Sequence, residues 1–95
     1  MRDKIIEVFS VLYQRHYKEK YKVAKNDNID KFITEMRERG IALGDDFIMS
    51  YLLFQYEYYH GMEESNQNIR LQWLISSKAI KKYVERNKNN NVLKN

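Results

Sequence analysis

The chain has two histidines, His16 and His60, and these are the first residues to weigh for acid–base or metal chemistry. His16 stands four residues after Leu12, inside an apolar helical stripe, a setting that fits a boundary or core position better than a base. His60 closes a long aromatic segment, where a helix dipole favours positive charge. Glu57, Glu63 and Glu64 lie close to it in sequence, but neither histidine belongs to an H-E-x-x-H pattern. Asp45 and Asp46 are the most conspicuous carboxylate pair. Adjacent helical residues point about 100° apart, so capping and dipole roles explain them better than a general acid/base pair. No D-x-[DN]-x-[DN]-G loop follows them, which leaves a calcium hand unsupported. Ser50, Ser65, Ser76 and Ser77 have no base and orienting group nearby in sequence. Cysteine is absent, which removes thiol catalysis and thiolate-held metals. The three glycines, Gly40, Gly44 and Gly61, are isolated and form no phosphate-cradling loop; the G-x-x-x-G of the first two straddles a turn. No catalytic, cofactor-binding or metal-ligating residue is assigned, no cofactor is expected, and the chain reads as a non-enzyme.

Two other sets of residues point to binding. Lys78, Lys81, Lys82 and Arg86 cluster on the polar side of a C-terminal helical pattern, opposite Ala79, Ile80, Tyr83 and Val84, and Lys88 and Lys94 extend the basic run. Such a face suits phosphates or an acidic protein partner, although a solvated lysine-rich face explains it as well. The second set lies in the segment Phe47 to His60. Ile48, Leu52, Tyr56 and Tyr59 form one stripe, and Phe47, Tyr51, Phe54 and Tyr58 form another. Apolar residues on more than one side require burial on more than one side, so this segment is either the central helix or a helix that also meets a second copy. Phe47, Tyr51, Phe54 and Tyr58 are the self-association candidates. A helix–turn–helix over 29–59 is disfavoured, because its second helix would present Asp45 and Asp46 to phosphate.

These residues must be positioned by four helical patterns. The first runs from about Asp3 to Val23, with Ile5, Ile6, Phe9, Leu12, Tyr13, His16, Tyr17 and Tyr21 on one side and Asp3 available as a cap. The polar run Lys25-Asn26-Asp27-Asn28 reads as a loop whose Asp27 or Asn28 caps a second helix carrying Ile29, Phe32, Ile33 and Met36. Glu35 and Arg39 have the favourable i,i+4 order, and Gly40 supplies the left-handed position that ends a helix. Asp45 is a cap for the third helix, Gly61 ends it, and Met62 to Asn68 is a polar loop. From Ile69 the pattern divides: Ile69-Arg70-Leu71-Gln72-Trp73 alternates as a short strand would, and Ser76 or Ser77 could cap a helix from Lys78 to Glu85. Trp73 aligns with Ile69 and Ile80 in the packed stripe.

The expected fold is therefore all-α, a compact bundle of about four helices, with an α+β alternative that has a short strand at 69–74. Residues 1–86 form the single domain, and the Asn-rich residues 87–95 form a disordered tail. The length of 95 residues, the 43% hydrophobic content and the absence of proline agree with one small helical core. Charge is segregated: residues 1–25 carry +4, residues 26–64 carry −6 and residues 65–95 carry +6. No signal-peptide pattern or apolar run of membrane-spanning length is present, so a cytoplasmic location with no membrane partner is expected. The role expected is noncatalytic interaction, with the chain itself as partner in a homodimer or with another protein. The second reading is a nucleic-acid-binding accessory protein that uses the basic C-terminal face.

Overall fold

A computed structural model describes residues 1–23, 28–60 and 68–94, apart from the side chains of residues 60 and 87–94. Among the described residues there are five helices and no strand: α1 (Arg2–Tyr17), α2 (Ile29–Glu38), α3 (Asp45–His60), the single turn α4 (Leu71–Leu74) and α5 (Ser77–Lys94). The fold is all-α, a bundle of four long helices with one extra turn.

α3 is central, as its two apolar stripes require. One stripe faces α1, where Tyr56 meets Phe9 edge-on with ring centroids 6.1 Å apart. The other faces α2 and α5. Tyr51 packs on Phe32, and Phe47, Tyr51 and Phe54 all meet Tyr83 edge-on. Asp45, Asp46, Met49, Ser50, Leu53, Glu57 and Tyr58 remain exposed along it. The core joins Ile5, Phe9, Ile29, Met36, Ile48, Leu52, Ile69, Leu71, Leu74 and Ile80. Trp73 packs against this core but is only half-buried.

The helix ends follow local chemistry. α2 closes on Gly40 at φ 73°, with Gly40 N–H donating to the Arg37 carbonyl and Ile41 N–H to the Met36 carbonyl. The Glu35–Arg39 pair forms at 3.4 Å. Ser76 caps α5: its Oγ accepts from Ala79 N–H at 3.1 Å and donates to the Trp73 carbonyl at 3.2 Å. Asn28 precedes α2 without a side-chain cap bond, and Asp27 and Gly61 lie outside the described residues. Asp45 and Asp46 stand inside the first turn of α3, where the dipole favours them. Asp3 likewise lies within the first turn of α1, two residues past the cap position, which Met1 holds.

Two expectations need correction. α1 stops at Tyr17, six residues short of Val23, because Lys18 is left-handed at φ 59°. The chain then turns back, so that Tyr21 packs on Phe9 at 4.6 Å and its hydroxyl accepts from Leu71 N–H. The strand at 69–74 does not form. Arg70 is extended, placing Ile69 and Leu71 in the core on either side of it, and the chain coils into α4 from Leu71. α5 is continuous to Lys94, taking in most of the Asn-rich segment.

Tyr51 ties α3 to the break between α4 and α5. Its hydroxyl, fully buried, donates to the Leu74 carbonyl at 2.7 Å. Tyr51→Phe keeps the ring and leaves that carbonyl buried without this donor, so it should destabilise the fold by about 1–3 kcal/mol. Urea unfolding monitored by circular dichroism measures the loss; an unchanged midpoint would show that the carbonyl finds water.

Candidate functional site

The residues singled out for binding lie mostly along one seam, where α3 meets α5. Lys82 projects from α5 across the aromatic end of α3. Its ammonium lies 3.1 Å from the centre of the Tyr58 ring, 4.4 Å from that of Tyr59 and 5.8 Å from that of Phe54. The Lys82 Nζ is buried and has no hydrogen-bond acceptor, so ring faces are its electrostatic partners. One turn along, the Arg86 guanidinium covers Phe54 at 4.9 Å. Lys78, Lys81, Lys82 and Glu85 from α5 line an open cavity of about 370 Å³ with Tyr58 and Tyr59 from α3.

Electrostatics at the seam follow from this crowding. Burial, with Lys78 adding to it, pulls the Lys82 pKa from 10.5 down to about 8, while the ring faces work in the opposite direction. Burial also raises the Tyr59 phenol, helped by neighbouring Tyr58. Glu85 is the one carboxylate among the cavity-lining residues.

No family model, curated protein or solved structure matches this chain.

The two expected sets thus meet. Phe54 and Tyr58, read as self-association residues, form the ring surface under Lys82 and Arg86, read as polyanion contacts. Lys78, Lys81 and Arg86 are exposed, and the side chain of Lys88 lies outside the described residues. Tyr51 is corrected from an interface residue to a core residue, because α2 and α5 enclose it. Phe47 is half-buried against Tyr51 and Tyr83. Tyr58 alone of the four remains well exposed, at 43%.

A second surface had no place in the sequence reading. α1 and α3 leave between them a groove of about 300 Å³ lined by Val8, Val11, Leu12, Met49 and Leu53, with Lys4, Glu7 and Arg15 around it. Val11, Met49 and Leu53 are 45%, 46% and 40% exposed. The i,i+4 pair Met49 and Leu53 was the available signal, hidden by the stronger aromatic stripes beside it.

Other polar residues join separate segments of the fold. Tyr13 donates to Glu19 at 3.1 Å and accepts from Asn68 at 2.9 Å, and Ile69 N–H donates to Tyr17 at 2.8 Å, so segments 18–21 and 68–71 are laced together. Ser76 is a cap, and Ser77 donates to Glu35 at 2.8 Å. His16 is exposed with its ring edge-on to Tyr17; the side chain of His60 and all of Ser65 lie outside the described residues. Among the described residues no group of three metal-ligating side chains converges, and no helix is long and apolar enough to cross a membrane.

The lowered pKa of Lys82 makes stability depend on pH. The unfolded chain holds this proton up to the ordinary lysine range and the folded chain releases it near pH 8, so stability rises with pH between these values. The melting midpoint of the chain should accordingly gain on that of Lys82→Met across that window. Parallel profiles would show that the ring faces fully compensate the burial.

Proposed function

We propose that this protein is a noncatalytic module that self-associates as a homodimer through the α1/α3 groove. The observation that carries this reading is the order of residues along α1. Glu7, Val11 and Arg15 are spaced by four and form one stripe beside the exposed Met49 and Leu53 of α3. When two copies of α1 pack antiparallel about a twofold axis at Val11, Glu7 of each faces Arg15 of the other. Apolar residues then cover apolar residues, and both ion pairs form from a single self-complementary surface. A second copy of this chain matches the groove in polarity and in the order of its charges. The exposed valine, methionine and leucine give it a reason to associate.

This arrangement differs from self-association through Phe47, Tyr51, Phe54 and Tyr58, since α5 takes most of that stripe within the monomer. It also gives a sharp test. Glu7→Arg and Arg15→Glu, each alone, place two like-charge pairs across the axis and should weaken the dimer by about tenfold or more. The double variant Glu7→Arg/Arg15→Glu restores opposite charges and should recover the dimer. Val11→Glu should abolish it while leaving helicity intact. Sedimentation equilibrium reads all four; a monomer at every concentration, or a double variant no better than the singles, would refute the twofold packing.

A further inference from the structure

The seam between α3 and α5 lies away from the groove and has a different chemistry. A buried ammonium without an acceptor is an expensive arrangement, and ring faces recover only part of its lost hydration. An arriving anion would give Lys82 the acceptor it lacks. The cavity already presents Lys78 and Lys81 beside Lys82, with Glu85 as the one opposing carboxylate. An anion alone, however, has no use for Phe54, Tyr58 and Tyr59. The ligand that uses both features carries flat π-faces and regularly spaced negative charges.

We propose that the α3/α5 seam is a binding site for single-stranded nucleic acid, in which a base stacks on Tyr58 in the place that Lys82 occupies in the free protein, and Lys82 moves out to a phosphate. Lys78, Lys81 and Arg86 contact the neighbouring phosphates. Tyr58 is 43% exposed, so a base reaches it without unfolding α3. A duplex offers its bases only at their edges and cannot stack on the ring, which makes the strand single. The exchange is close to balanced: Tyr58 trades a cation–π contact for base stacking, and the ammonium trades burial for a charge-assisted hydrogen bond. Groups facing Lys82 from α3 are Tyr58 and Tyr59, and those from α5 are Lys78, Lys81, Glu85 and Arg86; the lysine proton is retained more firmly once a phosphate is bound. Binding should therefore weaken as pH rises above about 8.

The test uses the full chain and fluorescently labelled oligothymidylate and oligouridylate of about a dozen nucleotides, followed by anisotropy at several salt concentrations. Binding to at least one should weaken steeply with salt, and a duplex of equal length should bind more weakly. Tyr58→Ala should cost roughly tenfold in affinity with little change in salt dependence, as expected of lost stacking. Lys82→Met should lower affinity and reduce the salt slope by about 0.7, the loss of one phosphate contact on a single strand. The double variant Lys78→Glu/Lys81→Glu should abolish binding, and circular dichroism checks that each variant keeps its helices. No binding of either strand at low salt overturns the proposal. So does Tyr58→Ala with unchanged affinity, or displacement of the strand by polyglutamate at equal charge, which would mark the seam as a site for an acidic protein. The dimer test above reads a different surface, and the two can fail separately.

Discussion

The fold depends on one buried carbonyl. Between α4 and α5 the chain stops being helical at Ile75 and Ser76, and the Leu74 carbonyl is left in the core. A buried acceptor needs a donor, and the Tyr51 hydroxyl supplies it at 2.7 Å. One turn further along α3, the buried Gln55 donates its amide to the Ala79 carbonyl at 2.9 Å. These two bonds fix the rotation and height of α3 against the C-terminal half of the chain. With that rotation set, Phe47, Tyr51 and Phe54 turn toward Tyr83, while Ile48, Leu52 and Tyr56 turn toward α1. Burial of Tyr51 raises its phenol far above the ordinary range, so the donor keeps its proton at any physiological pH. The break also changes the direction of the chain. α4 packs on α3, and after the Ser76 cap α5 sets out afresh to cover the second aromatic stripe.

Enclosing α3 on two sides leaves its edges to decide what the surface can do. On its helical wheel the midpoint of Met49 and Leu53 stands about 140° from the midpoint of Phe54 and Tyr58. One edge is therefore an apolar groove shared with α1, and the other an aromatic shelf beneath the lysines of α5. Among the described residues, two ion pairs of the acidic middle of the chain bear on its charge balance. Arg2 reaches Asp30 at 3.8 Å across an exposed surface, a contact of small worth, and Glu35 is engaged by Arg39 and Ser77. Lys78, Lys81 and Arg86 of α5 are left exposed around the seam.

Much of this could be read before any coordinates. The two stripes of 47–60 required a central helix, and Gly40, Ser76 and the Glu35–Arg39 pair behave as local rules require. The errors arose where tertiary contacts imitate local periodicity. Tyr21 keeps the three-and-four spacing of α1, yet reaches the core from an extended segment, because the core needs its ring against Phe9 and its hydroxyl near Leu71. The alternation of Ile69, Arg70 and Leu71 was real, and its pattern of buried, exposed, buried is present, but it lasts three residues before a helical turn takes over. The site was legible as two lists, one aromatic and one basic. That Lys82 lies over Tyr58 depends on the register of α5 against α3, and nothing in either segment alone encodes that register.

The proposed dimer and the proposed strand site, though argued from different residues, constrain each other through α3. An axis at Val11 places the second copy against the α1 edge, while Tyr58 and Lys82 stand on the α5 edge. Pairing through the groove would therefore leave both seams open, giving one assembly two equivalent sites. Two weak sites held at a fixed separation bind a long strand more tightly than either alone, once the strand spans them. A single shelf of one tyrosine and four cations would gain in this way from a second copy of itself. The α1 stripe would then act on nucleic acid without touching it. The physical reason is that the rotation of α3, set by Tyr51 and Leu74, turns its two unfilled edges away from each other.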